Sequence, residues 1–97
     1  MATSLGQGTG QQMRSGLDNK PKYTPRQGQF LAFIHYYAKL NGCPPAEDDM
    51  ARYFRITPPS AHQMVVTLEQ RGLIERVPGR ARSIRLLMGR EDLPDLD

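Results

Sequence analysis

The sequence predicts a mainly α-helical domain closed by a small β-hairpin. Three observations predict it. Apolar residues recur at helical spacing in three separate stretches between Thr24 and Leu68, each preceded by a start signal or followed by a stop. A Pro78-Gly79 turn joins two short β-prone runs. The segments on either side of this block show no apolar period and are polar or charged.

The first helix is expected over residues 25–41. Thr24 suits the N-cap, and Pro25 suits the first helical position, where a missing N–H costs nothing. Phe30, Phe33, Ile34, Tyr37 and Ala38 form its inner stripe, and Asn41-Gly42 stops it. His35 and Tyr36 fall on or near the outer face. Gly28, inside the helix, should cost about 1 kcal/mol against Ala. Pro44-Pro45 then forces an extended link.

A short second helix is expected over 46–54. Glu47, Asp48 and Asp49 lie at its positive end, where carboxylates are favoured, while Met50, Ala51 and Phe54 face inward. After Arg55-Ile56, Thr57 can cap a third helix with Pro58 at its first position. Ala61, Met64, Val65 and Leu68 mark its inner stripe. Gly72 ends it, and Leu73-Ile74 returns to the core. The strands of the hairpin are expected at 74–77 and 83–87, with Ile84 and Leu86 inward and Ser83 and Arg85 outward. Residues 1–21 and 89–97 read as disordered tails around a domain at 22–88. Two helices joined by a short turn and followed by a hairpin constitute the winged helix-turn-helix plan.

Composition limits the function. Ninety-seven residues make at most one domain, and 38% hydrophobic content suits a compact one. The formal net charge is +3, but it is uneven. Residues 22–87 hold ten Lys/Arg against five Asp/Glu, hence +5, while 88–97 hold one Arg against four acids, hence −3. A basic body suits a polyanionic partner. Cys43 is the single cysteine, so no intramolecular disulfide and no zinc spacing exists; it reads as a small half-buried residue. No apolar run approaches the roughly 18 residues a membrane span needs, and no signal pattern opens the chain, so a cytoplasmic, nucleoid-associated protein is expected. No nucleophile–base pair, metal cluster or phosphate loop is present, so no enzyme, catalytic residue, metal or cofactor is expected.

Two features carry the functional reading. The outer stripe of the third helix, Ser60, Gln63 and Thr67 with His62 at its flank, is short-chained, polar and nearly uncharged. An ordinary solvated face more often carries Lys and Glu, whereas Ser, Thr, Gln and His can all meet base edges. The hairpin tip, 78–82, carries Arg80 and Arg82, whose guanidinium groups match phosphate bidentately. Helix 58–71 is therefore expected in the major groove of double-stranded DNA and the wing on the backbone or in the minor groove. Arg71 and Arg76 would anchor flanking phosphates, and Arg26 would add a contact from the start of the first helix. The alternative is a protein-interaction module on the same fold, favoured by an exposed apolar patch at Val66, Leu87 and Met88.

Particular residues add a resemblance. Thr24-Pro25-Arg26-Gln27, Phe33-Ile34 and Gly42-Cys43-Pro44-Pro45 resemble the first helix and linker of LexA-type repressor DNA-binding domains. Residues 68–87, LEQRGLIERVPGRARSIRLL, are similar to that family's helix end, Ile-Glu strand and wing return. The resemblance implies a bacterial transcriptional repressor in which Ser60, His62 and Gln63 occupy base-reading positions. LexA itself tends to carry small and acidic residues there, so a different operator is implied. Ala46 stands where the family often has a capping Thr, and Arg55 where it commonly has Gly. The LexA protease domain, which also dimerises that repressor, has no counterpart in these 97 residues, so cleavage and that dimer contact are not implied. Pairing on DNA would need a homodimer or a partner protein.

Overall fold

The computed structural model describes residues 22–97. The expectations for residues 1–21 lie outside the described residues. Helices α1 (Pro25–Asn41), α2 (Glu47–Phe54) and α3 (Pro58–Gln70) precede strands β1 (Ile74–Glu75) and β2 (Arg85–Leu86). None of these helices is long and apolar enough to cross a membrane.

Each helix begins and ends for a local reason. The Thr24 hydroxyl accepts from the Gln27 amide at 3.1 Å, and the Gln27 side chain accepts from the Thr24 amide at 3.0 Å. This reciprocal box satisfies two amides that the first turn leaves without helical partners. Gly42 closes α1 in the left-handed region at φ 76°, donating to Ala38 O. Ala46 has no side chain to cap α2, and Asp49 supplies only the reciprocal half of a capping box, its carboxylate accepting from the Ala46 amide at 2.8 Å. Arg55 closes α2 at φ 56°, a conformation normally left to glycine. Thr57 caps α3 through the Ser60 amide at 3.2 Å.

The three helices and the hairpin enclose a core of Phe30, Leu31, Phe33, Ile34, Met50, Val65, Leu68, Leu73, Ile74 and Ile84. The large side chains that reach full burial contribute about 1.5–3 kcal/mol each. Phe30 and Phe54 stack with ring centroids 4.0 Å apart, locking α1 to α2. Met64, expected inside, is only partly buried at the core's edge. His35 and Tyr36 are half-buried rather than free on an outer face, and the Arg90 guanidinium lies over the Tyr36 ring.

The hairpin ladder is shorter than expected. It has two antiparallel pairs, Ile74↔Leu86 and Glu75↔Arg85. Beyond them a side chain replaces the ladder: Ser83 Oγ accepts from the Val77 amide at 3.0 Å and donates to Arg80 O at 2.8 Å. Pro78 has no N–H to pair, and Gly79 turns at φ 76° with Arg80 N donating to Val77 O.

Residues 89–97 correct the expectation of a disordered acidic tail. They form a strap along α1. A 3-10 turn at Arg90–Asp92 leads Leu93 and Leu96 onto the core cluster. Tyr23 Oη donates to Asp92 O, Gln29 Nε2 to Asp95 O at 2.9 Å, and Tyr53 Oη to Asp97 O at 2.8 Å. The Asp97 amide donates to Gln29 Oε1 at 2.8 Å. The strap also explains Gly28. A Cβ there would stand 2.8 Å from Tyr23 Cε1 and 3.1 Å from Pro94 Cγ, so the glycine admits the Tyr23 ring and the strap. The acidic side chains suggested a solvated segment. The attachment comes from the leucines and the backbone.

Candidate nucleic-acid interface

The two faces of α3 separate as its sequence pattern requires. Ala61, Val65 and Leu68 are buried, while Ser60, His62 and Gln63 are exposed. Thr67 is half-buried, and its hydroxyl donates to Gln63 O at 2.9 Å, which leaves its oxygen free to accept. Ser60 Oγ accepts from the Thr57 hydroxyl at 2.9 Å at the helix start. His62 is already engaged: its Nδ1 lies 3.0 Å from Glu47 Oε2, which ties α3 to the first turn of α2 and leaves Nε2 for another partner.

An open groove runs between the start of α2, His62 and the wing. Glu47, Asp48, Arg76, Arg80 and Arg82 line it with His62. The structure thus gathers four of the expected residues, His62, Arg76, Arg80 and Arg82, with two acids on the same rim. Ser60, Gln63, Thr67, Arg26 and Arg71 do not line that groove. The Arg26 guanidinium sits 5.2 and 5.0 Å from the Phe30 and Phe54 ring centroids. Arg71 donates to Lys22 O at 2.9 Å, bracing the end of α3 against the chain entering α1.

The arginines differ in how much of their charge is already engaged. Arg76 Nε is 3.1 Å from Glu69 Oε1, and Arg85 pairs with Glu75 across the ladder. Arg82, expected to stand unpaired at the tip, is folded back. Its Nη1 donates to Tyr37 Oη at 3.1 Å and Pro44 O at 3.2 Å, and lies 3.1 Å from Asp49 Oδ2. Burial opposes ionisation of Asp49, but the Ala46 amide, Arg82, the Tyr37 hydroxyl and Arg52 outweigh it and lower its carboxyl pKa. Among the described residues, no carboxylate lies within ion-pairing distance of Arg80, so its guanidinium is available.

Sequence reasoning missed the Glu47–His62 and Asp49–Arg82 pairs. An acid three residues after the helix start could have revealed the bond from the Ala46 amide to Asp49; no spacing could have revealed the pairs. The expected apolar patch is not formed by three exposed residues: Leu87 is exposed, but Val66 and Met88 are partly buried.

Three packed helices, with a polar outer row on the third and an arginine-bearing wing across a groove from it, define a winged helix-turn-helix module of the nucleic-acid-binding class. The chain belongs to the LexA DNA-binding domain family, which matches residues 20–83. It is 40% identical over 72 residues to the LexA repressor of Thermosipho melanesiensis, covering 74% of this chain and 36% of that protein. It is 43% identical over 63 residues to the LexA repressor of Thermotoga maritima, covering 65% and 32% respectively. A LexA repressor of Bartonella quintana is 38% identical over 65 residues, covering 66% and 27%. The chain therefore spans about a third of the length of these relatives.

Proposed function

We propose that this chain regulates transcription by sequence-specific binding to double-stranded DNA, acting on the nucleoid in the cytoplasm. The observation that carries the reading is the lightly charged outer row of α3, exposed at Ser60, His62 and Gln63, whose His62 lines the groove that Arg80 lines from the wing. Helix α3 enters the major groove. Ser60, Gln63 and Thr67 meet base edges there, and His62 contributes the nitrogen that Glu47 leaves free. Arg80 contacts the backbone. Arg71 and Arg76 flank the recognition helix, and Arg26 lies at the start of α1; each adds a phosphate contact to the extent that its present partners release it. The relatives are named repressors, and repression is the regulatory sense proposed for this chain.

One such module buries only about 600–1,000 Å² of protein on DNA, which favours a paired arrangement. We assign that pairing to a homodimer or a partner protein on related half-sites about one helical turn apart. Selection of binding sequences from random duplexes tests the function. The expected outcome is an enriched motif whose affinity falls with salt by about 0.9 log unit per log unit for each phosphate contact. Equal recovery of all sequences, or binding indifferent to salt, contradicts the proposal.

A further inference from the structure

The wing is tied down by the residue expected to be its free tip. Its ladder has only two pairs, and a two-stranded ribbon this short is marginal alone. Past Val77 the loop holds its shape through Ser83 and Arg82. Arg82 stands at φ 55°, a left-handed conformation that a side-chain-bearing residue keeps only where its surroundings over-determine it. Those surroundings come from three segments: Tyr37 of α1, the Pro44 carbonyl of the linker and Asp49 of α2, all within 3.2 Å of Nη1. Asp49 is itself held by the Ala46 amide at 2.8 Å and by Arg52 at 2.7 Å. Arg80, two residues before Arg82, lines the groove that His62 also lines.

We infer that Arg82 is a positioning residue. It latches the wing to α1 and α2 through Tyr37, Pro44 and Asp49, and so holds Arg80 across the groove from His62 of α3. The inference rests on the DNA-binding reading and changes one assignment within it: Arg80 makes the phosphate contact, and Arg82 fixes where that contact is made. A consequence of opposite sign to simple electrostatics follows. Neutralising an acid on the rim of a DNA-facing groove should strengthen binding to a polyanion. Neutralising Asp49 should weaken it, because the latch is lost.

The test uses the whole chain with a duplex recovered by selection, titrated between about 50 and 200 mM salt. Arg80→Ala, Arg82→Ala, the double variant, Asp49→Asn and Tyr37→Phe are compared, with thermal unfolding followed on each. Asparagine keeps an oxygen for the Ala46 amide, and phenylalanine keeps the ring. The expected result is that Arg82→Ala lowers the salt slope as Arg80→Ala does, by up to ~0.9. The double variant should then fall short of the product of the two single losses by about threefold or more. Asp49→Asn and Tyr37→Phe should each weaken binding about twofold to fivefold. A double variant that loses a second full phosphate contact, or tighter binding by Asp49→Asn, overturns the inference. If Arg82→Ala unfolds at the assay temperature, Asp49→Asn and Tyr37→Phe carry the same comparison without touching the wing. If the wild-type chain shows no salt-dependent duplex binding, the DNA reading fails. The latch is then tested alone by amide exchange over residues 77–83: faster exchange in Tyr37→Phe and Asp49→Asn supports it, and unchanged exchange overturns it.

Discussion

The wing and the C-terminal strap are both charged segments that run back to the helices, and they are attached in opposite ways. The strap lays Leu93 and Leu96 on the core and joins its backbone to Tyr23, Gln29 and Tyr53. Its side-chain carboxylates take no part in those bonds. The wing has Ile84 in the core, but its tip is attached by a guanidinium meeting a hydroxyl, a carbonyl and a carboxylate. The strap's attachment is therefore mainly apolar burial and hydrogen bonding to main-chain atoms, which acid does not titrate except at the terminal Asp97 oxygen that Tyr53 meets. The tip's attachment is a charged contact, sensitive to acid and worth little in stability. A segment's charge therefore does not decide whether it is free. Its apolar spacing, and the polar groups facing it, decide that.

The largest expected effect is on the strap. Replacing Leu93 and Leu96 together by Ala should cost about 2–3 kcal/mol, less than two fully buried leucines because both are only partly buried. In a domain of this size the unfolding midpoint should fall by roughly 10–20 °C in a thermal melt. Gly28→Ala should also destabilise, despite better helix propensity, because the new Cβ meets Tyr23 and Pro94. A melt unchanged by these substitutions would show that the strap adds nothing to the core.

The smaller effect is on the wing in acid. The Asp49 carboxyl is lowered below its ordinary value of 3.8, so its contribution is complete above that value and is lost as pH falls through the lower folded value. Backbone NMR shifts of residues 77–83, followed from about pH 5 to pH 2, should show a step in the wild type that Asp49→Asn removes. The strap's bonds from Tyr23 and Gln29 to the Asp92 and Asp95 carbonyls should show no matching step. A common transition in both segments would mean that they are not separately attached.

Much of the fold was legible in the residues. Thr24-Pro25 and Asn41-Gly42 mark α1 at both ends because caps and left-handed stops are local chemistry. The inner stripe of α3 follows from helical spacing alone. The β-prone Val77 and Ser83 predict longer strands than form, because Ser83 bonds the loop through its hydroxyl instead of extending the ladder. The strap was missed because four acids outweighed Leu93, Pro94 and Leu96, whose value depends on a surface made by α1. At the site, the polar row of α3 was visible as an unusual helix face. Which arginine was already engaged was not visible, since Arg82 and Asp49 meet only through the tertiary fold.

In the proposed function, α3 reads bases while the wing grips the backbone. The most direct measurement compares Gln63→Ala with Arg80→Ala on a selected duplex and on a scrambled duplex of equal length. Gln63→Ala should narrow the preference for the selected duplex, by the roughly 1–3 kcal/mol that a good base contact discriminates, and leave the salt slope in place. Arg80→Ala should weaken both duplexes alike and lower the slope by up to ~0.9. If both variants lose the same factor on both duplexes with the same change of slope, the division between helix and wing is wrong.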